Sequence, residues 1–307
     1  MSGPNKPCSQ EPRLFQAVKS LPSPNQRATT CPAREVNLSQ FYRKRGKNVR
    51  KGDFGRVIIA GGSDRYSGCL GLNALAALRS GADLAIVVAP KRAADIVAGY
   101  SPDLITIPCN SPFPEPEIVL EVLNNADSLV IGCGVVRTIK AHAALLHIIQ
   151  GSERPIVADA EALHALASRP DVGRGKRLVL TPNAGEFQVL AGRPWPTSNK
   201  ERAASVKSLA KRYQSSVILK GALDFISDGD RVSIDKVGSP YLTKGGYGDL
   251  LAGITGALLA RGSSPFDAAR VAAYMVGRAG EMAAKTFGEG TIASDLLPLL
   301  PLIIREG

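Results

Sequence analysis

From Lys51 onward the chain alternates short runs of apolar, β-branched residues with longer segments of helical period, and few folds accommodate that alternation. Strands that are apolar at every position must be covered on both faces, and helices placed between consecutive strands are what covers them. Strands are expected at Arg56–Ala60, Leu84–Val88, Leu104–Ile107, Ser128–Ile131, Pro155–Ala158, Leu178–Leu180 and Val217–Leu219. Helices are expected over Leu70–Arg79, stopped by Gly81, over Thr138–Gln150, stopped by Gly151, and over Asn199–Tyr213. Asp224–Ser227 and Arg231–Ile234, joined across Asp228-Gly229-Asp230, read as a hairpin on an Asp-Gly turn. Past Asp249 nearly everything reads as helix, with Ser264 and Pro265 as cap and first helical residue of one. The expected architecture is an α/β sandwich of three layers, its central sheet mainly parallel and covered by helices on both faces.

A chain of 307 residues that is 44% hydrophobic can bury a large core. Its formal charge of +11 is unevenly spread: Met1–Lys51 carries 11 Lys and Arg against Glu11 and Glu35, so the remainder is nearly neutral. That proline-rich segment lacks an apolar face and reads as a disordered leader, residues 1–45, ahead of one domain over residues 46–307. Ser39–Arg45 is expected to form a short helix into the domain. The leader holds only Phe15, Phe41 and Tyr42 as stacking aromatics and no nucleic-acid module, so composition does not argue for a nucleic-acid partner. No apolar stretch reaches the length of a membrane span and no signal-peptide pattern opens the chain, so a cytoplasmic protein is expected. The five cysteines are widely spaced, without a Cys-x-x-Cys pair, and are expected to be reduced. His142, His147 and His164 read as partly buried helix residues.

In an open parallel sheet the ligand lies beyond the carboxyl ends of the strands, and five loops there are unusual. Gly61-Gly62-Ser63-Asp64-Arg65-Tyr66-Ser67-Gly68-Cys69 and Gly132-Cys133-Gly134-Val135-Val136-Arg137 are glycine-rich turns that let a polar ligand approach closely. Thr181-Pro182-Asn183-Ala184-Gly185-Glu186 sets an Asn and a Glu three apart, a spacing that suits either the water shell of a magnesium ion or a capped helix start. Leu219-Lys220-Gly221-Ala222-Leu223-Asp224 delivers a lysine to a glycine turn. Gly245-Gly246-Tyr247-Gly248-Asp249, followed by a helical run, offers unpaired amides and a dipole end to a phosphate. A carboxylate at that mouth repels phosphate unless it has a proton to take, so Asp249 reads as a base beside an anion hole. A plain N-cap is the alternative.

These loops, with Val157-Ala158-Asp159-Ala160, Gly185-Glu186-Phe187, Gly238, Pro240 and Ala293-Ser294-Asp295-Leu296, together resemble the ADP/ATP-dependent NAD(P)H-hydrate dehydratases of the ribokinase-like superfamily. The likeness runs from about Lys51 to the C-terminus. It implies repair of hydrated NADH or NADPH by phosphorylation of the ring hydroxyl and elimination of phosphate, with ADP or ATP as donor and Mg2+ present. By the resemblance Asp249 is the catalytic base and also touches substrate; Lys220, Gly221, Ala222, Leu223, Asp224, Gly246 and Gly248 line the nucleotide site. Cys69, Gly134 and Asn183 face substrate, and Glu186 is an outer-shell candidate for magnesium. The resemblance also implies a homo-oligomer, relatives often being tetramers. Asn183-Ala184 stands where the family has His-Pro, Tyr247 where it has Thr, Val136 where it has Gly, and Ser239-Pro240-Tyr241 where it has Asn-Pro-Gly. Tyr241 and Tyr247 would then narrow the anion hole or stack on its ligand. Two rival readings stay open: a kinase acting on a hydroxymethyl or hydroxyethyl group, and a nucleotide-binding regulator whose basic arm touches RNA.

Overall fold

A computed structural model describes Thr30–Cys31 and residues 36–306. Its ten strands are β1 (Thr30–Cys31), β2 (Arg56–Ala60), β3 (Leu84–Pro90), β4 (Ile105–Cys109), β5 (Ser128–Ile131), β6 (Ile156–Ala158), β7 (Leu178–Leu180), β8 (Ser216–Leu219), β9 (Asp224–Ser227) and β10 (Val232–Asp235). They form one sheet in the order β1-β10-β9-β8-β7-β6-β5-β2-β3-β4. From β4 through β8 every pair is parallel; β9 runs antiparallel to both neighbours and closes the expected hairpin with β10.

The two faces of the sheet follow from the two-residue period of a strand. Val57, Ile59, Val130, Val157, Val179 and Ile218 point into one core, while Ile58, Ala60, Leu129, Ile131, Ile156 and Val217 point into the other. The helices are α1 (Gly68–Arg79), α2 (Lys91–Ala98), α3 (Pro116–Leu123), α4 (Ile139–Gly151), α5 (Glu161–Ser168), α6 (Ala184–Ala191), α7 (Asn199–Tyr213), α8 (Tyr247–Ala260), α9 (Pro265–Phe287) and α10 (Leu300–Glu306). Helices α1, α8, α9 and α10 cover the first core, and α3, α4, α5 and α7 the second. Helix α8 is apolar all round and buried over nearly its whole length, packed between α1, α9 and the central strands β2, β5 and β6. Among the described residues, no helix is long and apolar enough to cross a membrane.

Several expectations shift. The strand expected at Leu104–Ile107 runs Ile105–Cys109 at the sheet edge, with Ile105 exposed, so the apolar run there does not mark two buried faces. Gly151 lies inside α4, whose C-cap is Ser152 in an extended conformation, so the helix ends without a left-handed glycine. His147 is exposed, while His142 and His164 are partly buried as expected. Instead of a helix over Ser39–Arg45 there is a 3-10 turn at Leu38–Gln40, capped by the Asn37 side chain accepting from the Ser39 amide at 3.0 Å. Most of the expected leader lies outside the described residues, but its end is docked. Leu38 is buried, Tyr42 packs on the first core, and the Arg45 guanidinium stacks over Phe54 and pairs with Asp83 at 2.7 Å. Cys69, Cys109 and Cys133 are free thiols.

Candidate active site

Strand order reverses between β2 and β5: β2 leads outward to β3 and β4, whereas β5 leads the other way to β6, β7 and β8. The loops leaving the two strands diverge and open a crevice at that point. They are also tied across it, the Gly62 amide donating to the Cys133 carbonyl at 2.8 Å. Gly134 sits here at φ +72°, and a Cβ on it would lie 2.5 Å from Cys69 Sγ. The two positions expected to face substrate therefore touch, and a side chain at 134 would displace the thiol.

Asp249 stands in the first turn of α8, whose N-cap is Gly246 in a left-handed conformation. The carboxylate oxygens of Asp249 and Asp159 and the Cys133 sulfur all lie within 4.8 Å of one another. Asp159 follows β6 and is buried. Its Oδ1 accepts from Thr181 Oγ1 at 2.6 Å and from Lys220 Nζ at 3.1 Å, and its Oδ2 accepts from the Cys133 thiol at 3.6 Å. The next residue, Ala160, is held at φ +50°, a strained conformation for a residue with a Cβ that aims the chain out of β6 and into α5.

These neighbours set the proton affinities. Burial, then the Asp159 carboxylate, push the Asp249 pKa up to about 7 against the opposing pull of Lys220. Burial lowers the Lys220 pKa, but Asp159 and Glu186 outweigh it and the ammonium is held charged. Burial, followed by Asp249, raises the Cys69 thiol to about 12, and burial followed by Asp159 and Asp249 takes Cys133 well above the usual range, so both stay protonated and inert as nucleophiles.

Lys220 directly follows β8, and Gly248 of α8 faces it: a Cβ there would meet the ammonium at 3.2 Å. The loop after it turns on Asp224, whose carboxylate accepts the Gly221 amide at 2.9 Å, leaving Ala222 exposed and Leu223 partly so. Burial lifts the Asp224 pKa to about 6, and Asp235, directly opposite it across the hairpin, adds to that. Asn183 and Glu186 form a reciprocal capping box on α6, Asn183 Oδ1 accepting the Glu186 amide at 3.0 Å and Glu186 Oε2 the Asn183 amide at 2.8 Å. Glu186 Oε2 is also 3.9 Å from Lys220. The capped helix start is therefore present, and the cap turns Glu186 toward the lysine. Tyr247 does not narrow the anion hole. The residue is 5% exposed and belongs to the first core.

Asp159, Thr181, Cys133 and Asn73 complete the constellation and were not singled out for it by sequence. Asp159 lies in Val157-Ala158-Asp159-Ala160, which has no glycine to mark a turn. Asn73, in the middle of an alanine-rich helix, is flagged only by being an amide on a face that is otherwise apolar.

A parallel sheet sandwiched by helices, with a carboxylate at a helix N-terminus over the switch point, is the ribokinase-like α/β class. The profile of the NAD(P)H-hydrate dehydratase family matches residues 57–302, and the chain belongs to that family. It is 39% identical over 265 residues to the bifunctional NAD(P)H-hydrate repair enzyme Nnr of Methanothermobacter thermautotrophicus, covering 84% of this chain and 51% of that protein. The chain thus spans about half the length of that relative. It is 36% identical to the ADP-dependent (S)-NAD(P)H-hydrate dehydratase of Cenarchaeum symbiosum, over 88% of this chain and 96% of that one. The ADP/ATP-dependent NAD(P)H-hydrate dehydratase of Bacillus subtilis, co-crystallised with ATP and Mg2+, superposes with a TM-score of 0.74 at 26% identity, covering 87% of this chain and 96% of that one.

Proposed function

We propose that this chain dehydrates the hydrated forms of NADH and NADPH, using ADP or ATP as phosphate donor. The observation that carries the reading is Asp249: a carboxylate at the head of α8 whose proton affinity is matched to neutral pH by burial and by Asp159. Hydroxide leaves poorly, so the ring hydroxyl is first made a phosphate ester. Asp249 takes the hydroxyl proton as the oxygen attacks the terminal phosphorus, and the shortened nucleotide departs. The amides of Gly246 to Gly248, at the positive end of α8, face the charge that develops. Phosphate then leaves the ring carbon, pushed by the ring nitrogen, and loss of a proton from the adjacent carbon restores the dihydronicotinamide.

In this reading Lys220 and the turn Gly221 to Asp224 hold the nucleotide, and Lys220 neutralises its phosphates. Cys69, Gly134 and Asn183 line the substrate side; Asn183 is exposed next to the crevice and keeps its Nδ2 for a ligand while Oδ1 caps α6. The donor set fits a magnesium ion carried by phosphates and water. Cys133 is a soft donor, both Asp159 oxygens already accept protein hydrogens, and Glu186 retains Oε1 for a water. When bound, such an ion spreads the charge of the phosphoryl groups. Assembly into a homo-oligomer, a tetramer in the first instance, belongs to the same reading and is checked by light scattering.

The test incubates the purified chain with hydrated NADH or NADPH, magnesium and either nucleotide, following near-ultraviolet absorbance and free phosphate. Return of the dihydronicotinamide band with stoichiometric phosphate is expected. A stable phosphorylated product with no gain in absorbance would make the protein a kinase instead.

A further inference from the structure

Asn73 is fully buried, and its place is costly. Its Nδ2 donates to the Cys69 carbonyl one turn back at 2.9 Å and reaches Asp249 Oδ1 at 3.5 Å, while its Oδ1 is buried without a hydrogen-bond partner among the described residues. An unsatisfied buried amide oxygen destabilises a fold, and an apolar side chain of the same shape would remove the penalty. The surroundings are built to bring this amide close. Gly253 of α8 packs on the Asn73 backbone so tightly that a Cβ on it would lie 2.2 Å from the Asn73 carbonyl. Helices α1 and α8 therefore pass closely where the amide reaches the carboxylate.

Resting on the dehydratase reading above, we propose that Asn73 is a positioning residue: its amide holds the Asp249 carboxylate turned toward the crevice and favours the ionised form that takes the substrate proton. Two other groups facing Asp249 also favour its ionised form, Lys220 by its charge and the Cys133 thiol by a hydrogen bond, but neither is free for it alone. Asp159 repels it, the Cys133 thiol is shared with Asp159, the Cys69 thiol stays protonated, and Lys220 is engaged by Asp159 and Glu186. Asn73 is the amide donor to Asp249 on the α1 side. A contact of 3.5 Å is long for N–H···O, and such contacts shorten when the substrate draws the carboxylate forward.

The test compares wild type with Asn73→Leu, which keeps shape, and Asn73→Ala, which keeps the α1–α8 approach should leucine overpack it. Three readouts are taken: melting temperature, the pH profile of kcat, and the Asp249 carboxyl titration by carbon NMR, assigned by its absence in Asp249→Asn. At least a tenfold fall in kcat is expected, with KM for the hydrate changed less than threefold. The acidic limb and the NMR titration should move upward by about half a pH unit or more, since a donor to the charged form has gone. Melting temperature of the leucine variant should be unchanged or higher. Unchanged kcat and an unmoved titration in both variants, or a fall in kcat that only tracks lost stability, would overturn the proposal. If wild type dehydrates nothing, the functional reading fails by itself, and the NMR titration still decides whether Asn73 governs Asp249.

Discussion

At the carboxyl end of the strands, Asp159, Asp249, Glu186 and Lys220 converge in a narrow space, with three carboxylates for one ammonium. At the amino end, Lys176, Asp228 and Arg231 line a cavity of about 230 Å³ together with Leu178, Ser215 and Phe266. The second place is the better formed hollow for its lining, yet its charges are spent on the fold. Lys176 Nζ donates to the Gln150 and Ser152 carbonyls at 2.8 Å each, and Arg231 pairs with Asp228 at 2.7 Å while stacking over Phe266. Asp228 is held below the usual carboxylate range by Arg231 despite partial burial, whereas Asp249 is driven above it. A carboxylate that is worse off ionised in the fold than in water is a base in waiting; one that is better off is a fastener.

The contrast breaks first at Asp249. Asp249→Asn keeps the shape and removes the base, so turnover should fall by about 10²–10⁴-fold while nucleotide affinity stays nearly constant. Near-normal turnover would dissolve the distinction between the two ends. In the unaltered protein kcat/KM should rise with pH through about 7 and level off above it, because the base acts only when deprotonated. Lys220→Met should come next, costing about two orders of magnitude in kcat/KM at neutral pH. It removes the charge that opposes Asp159, so the acidic limb should also shift upward. A loss in affinity with no shift of the limb would separate phosphate binding from control of the base.

How far this constellation could be read from the sequence depends on residue type. Asp249 and Lys220 were legible because each adjoins a glycine-marked turn beside an apolar segment, Asp249 just after its turn and Lys220 just before its own. Asp159 was less so: Ala158-Asp159-Ala160 has no glycine, and the strained φ of Ala160 that turns the chain there leaves no compositional trace. Asn73 was illegible, since its role depends on α8 crossing α1 some 176 positions later in the chain. The strands of the fold were nearly all legible from their apolar runs. Helices α2, α3 and α5 were not marked, and of α6 only the capped start was, as one of two alternatives. Eight residues span little more than two turns, too few for a helical period to stand out.

The amino end can be probed for stability without touching chemistry. Leu38, buried in the first core, belongs to the segment expected to be leader. Leu38→Ala should cost about 2–4 kcal/mol of unfolding free energy and leave kcat/KM unchanged below the melting transition. Equal stability of the variant would mean that Val36–Arg45 adds nothing to the domain.

Arg231→Ala is the smallest change and the sharpest control. The guanidinium loses an exposed ion pair and a stacking contact 4.1 Å from the Phe266 ring centre, each worth less than about 1 kcal/mol where solvent reaches it. Releasing Asp228 costs little more, because its Oδ1 still accepts the Asp230 and residue-231 amides. Denaturant midpoints should move slightly and kinetics not at all. A tenfold loss of activity from so peripheral a cut would show that the amino-end cavity speaks to Asp249 through α9 and α8, and the two ends would then have to be treated as one site.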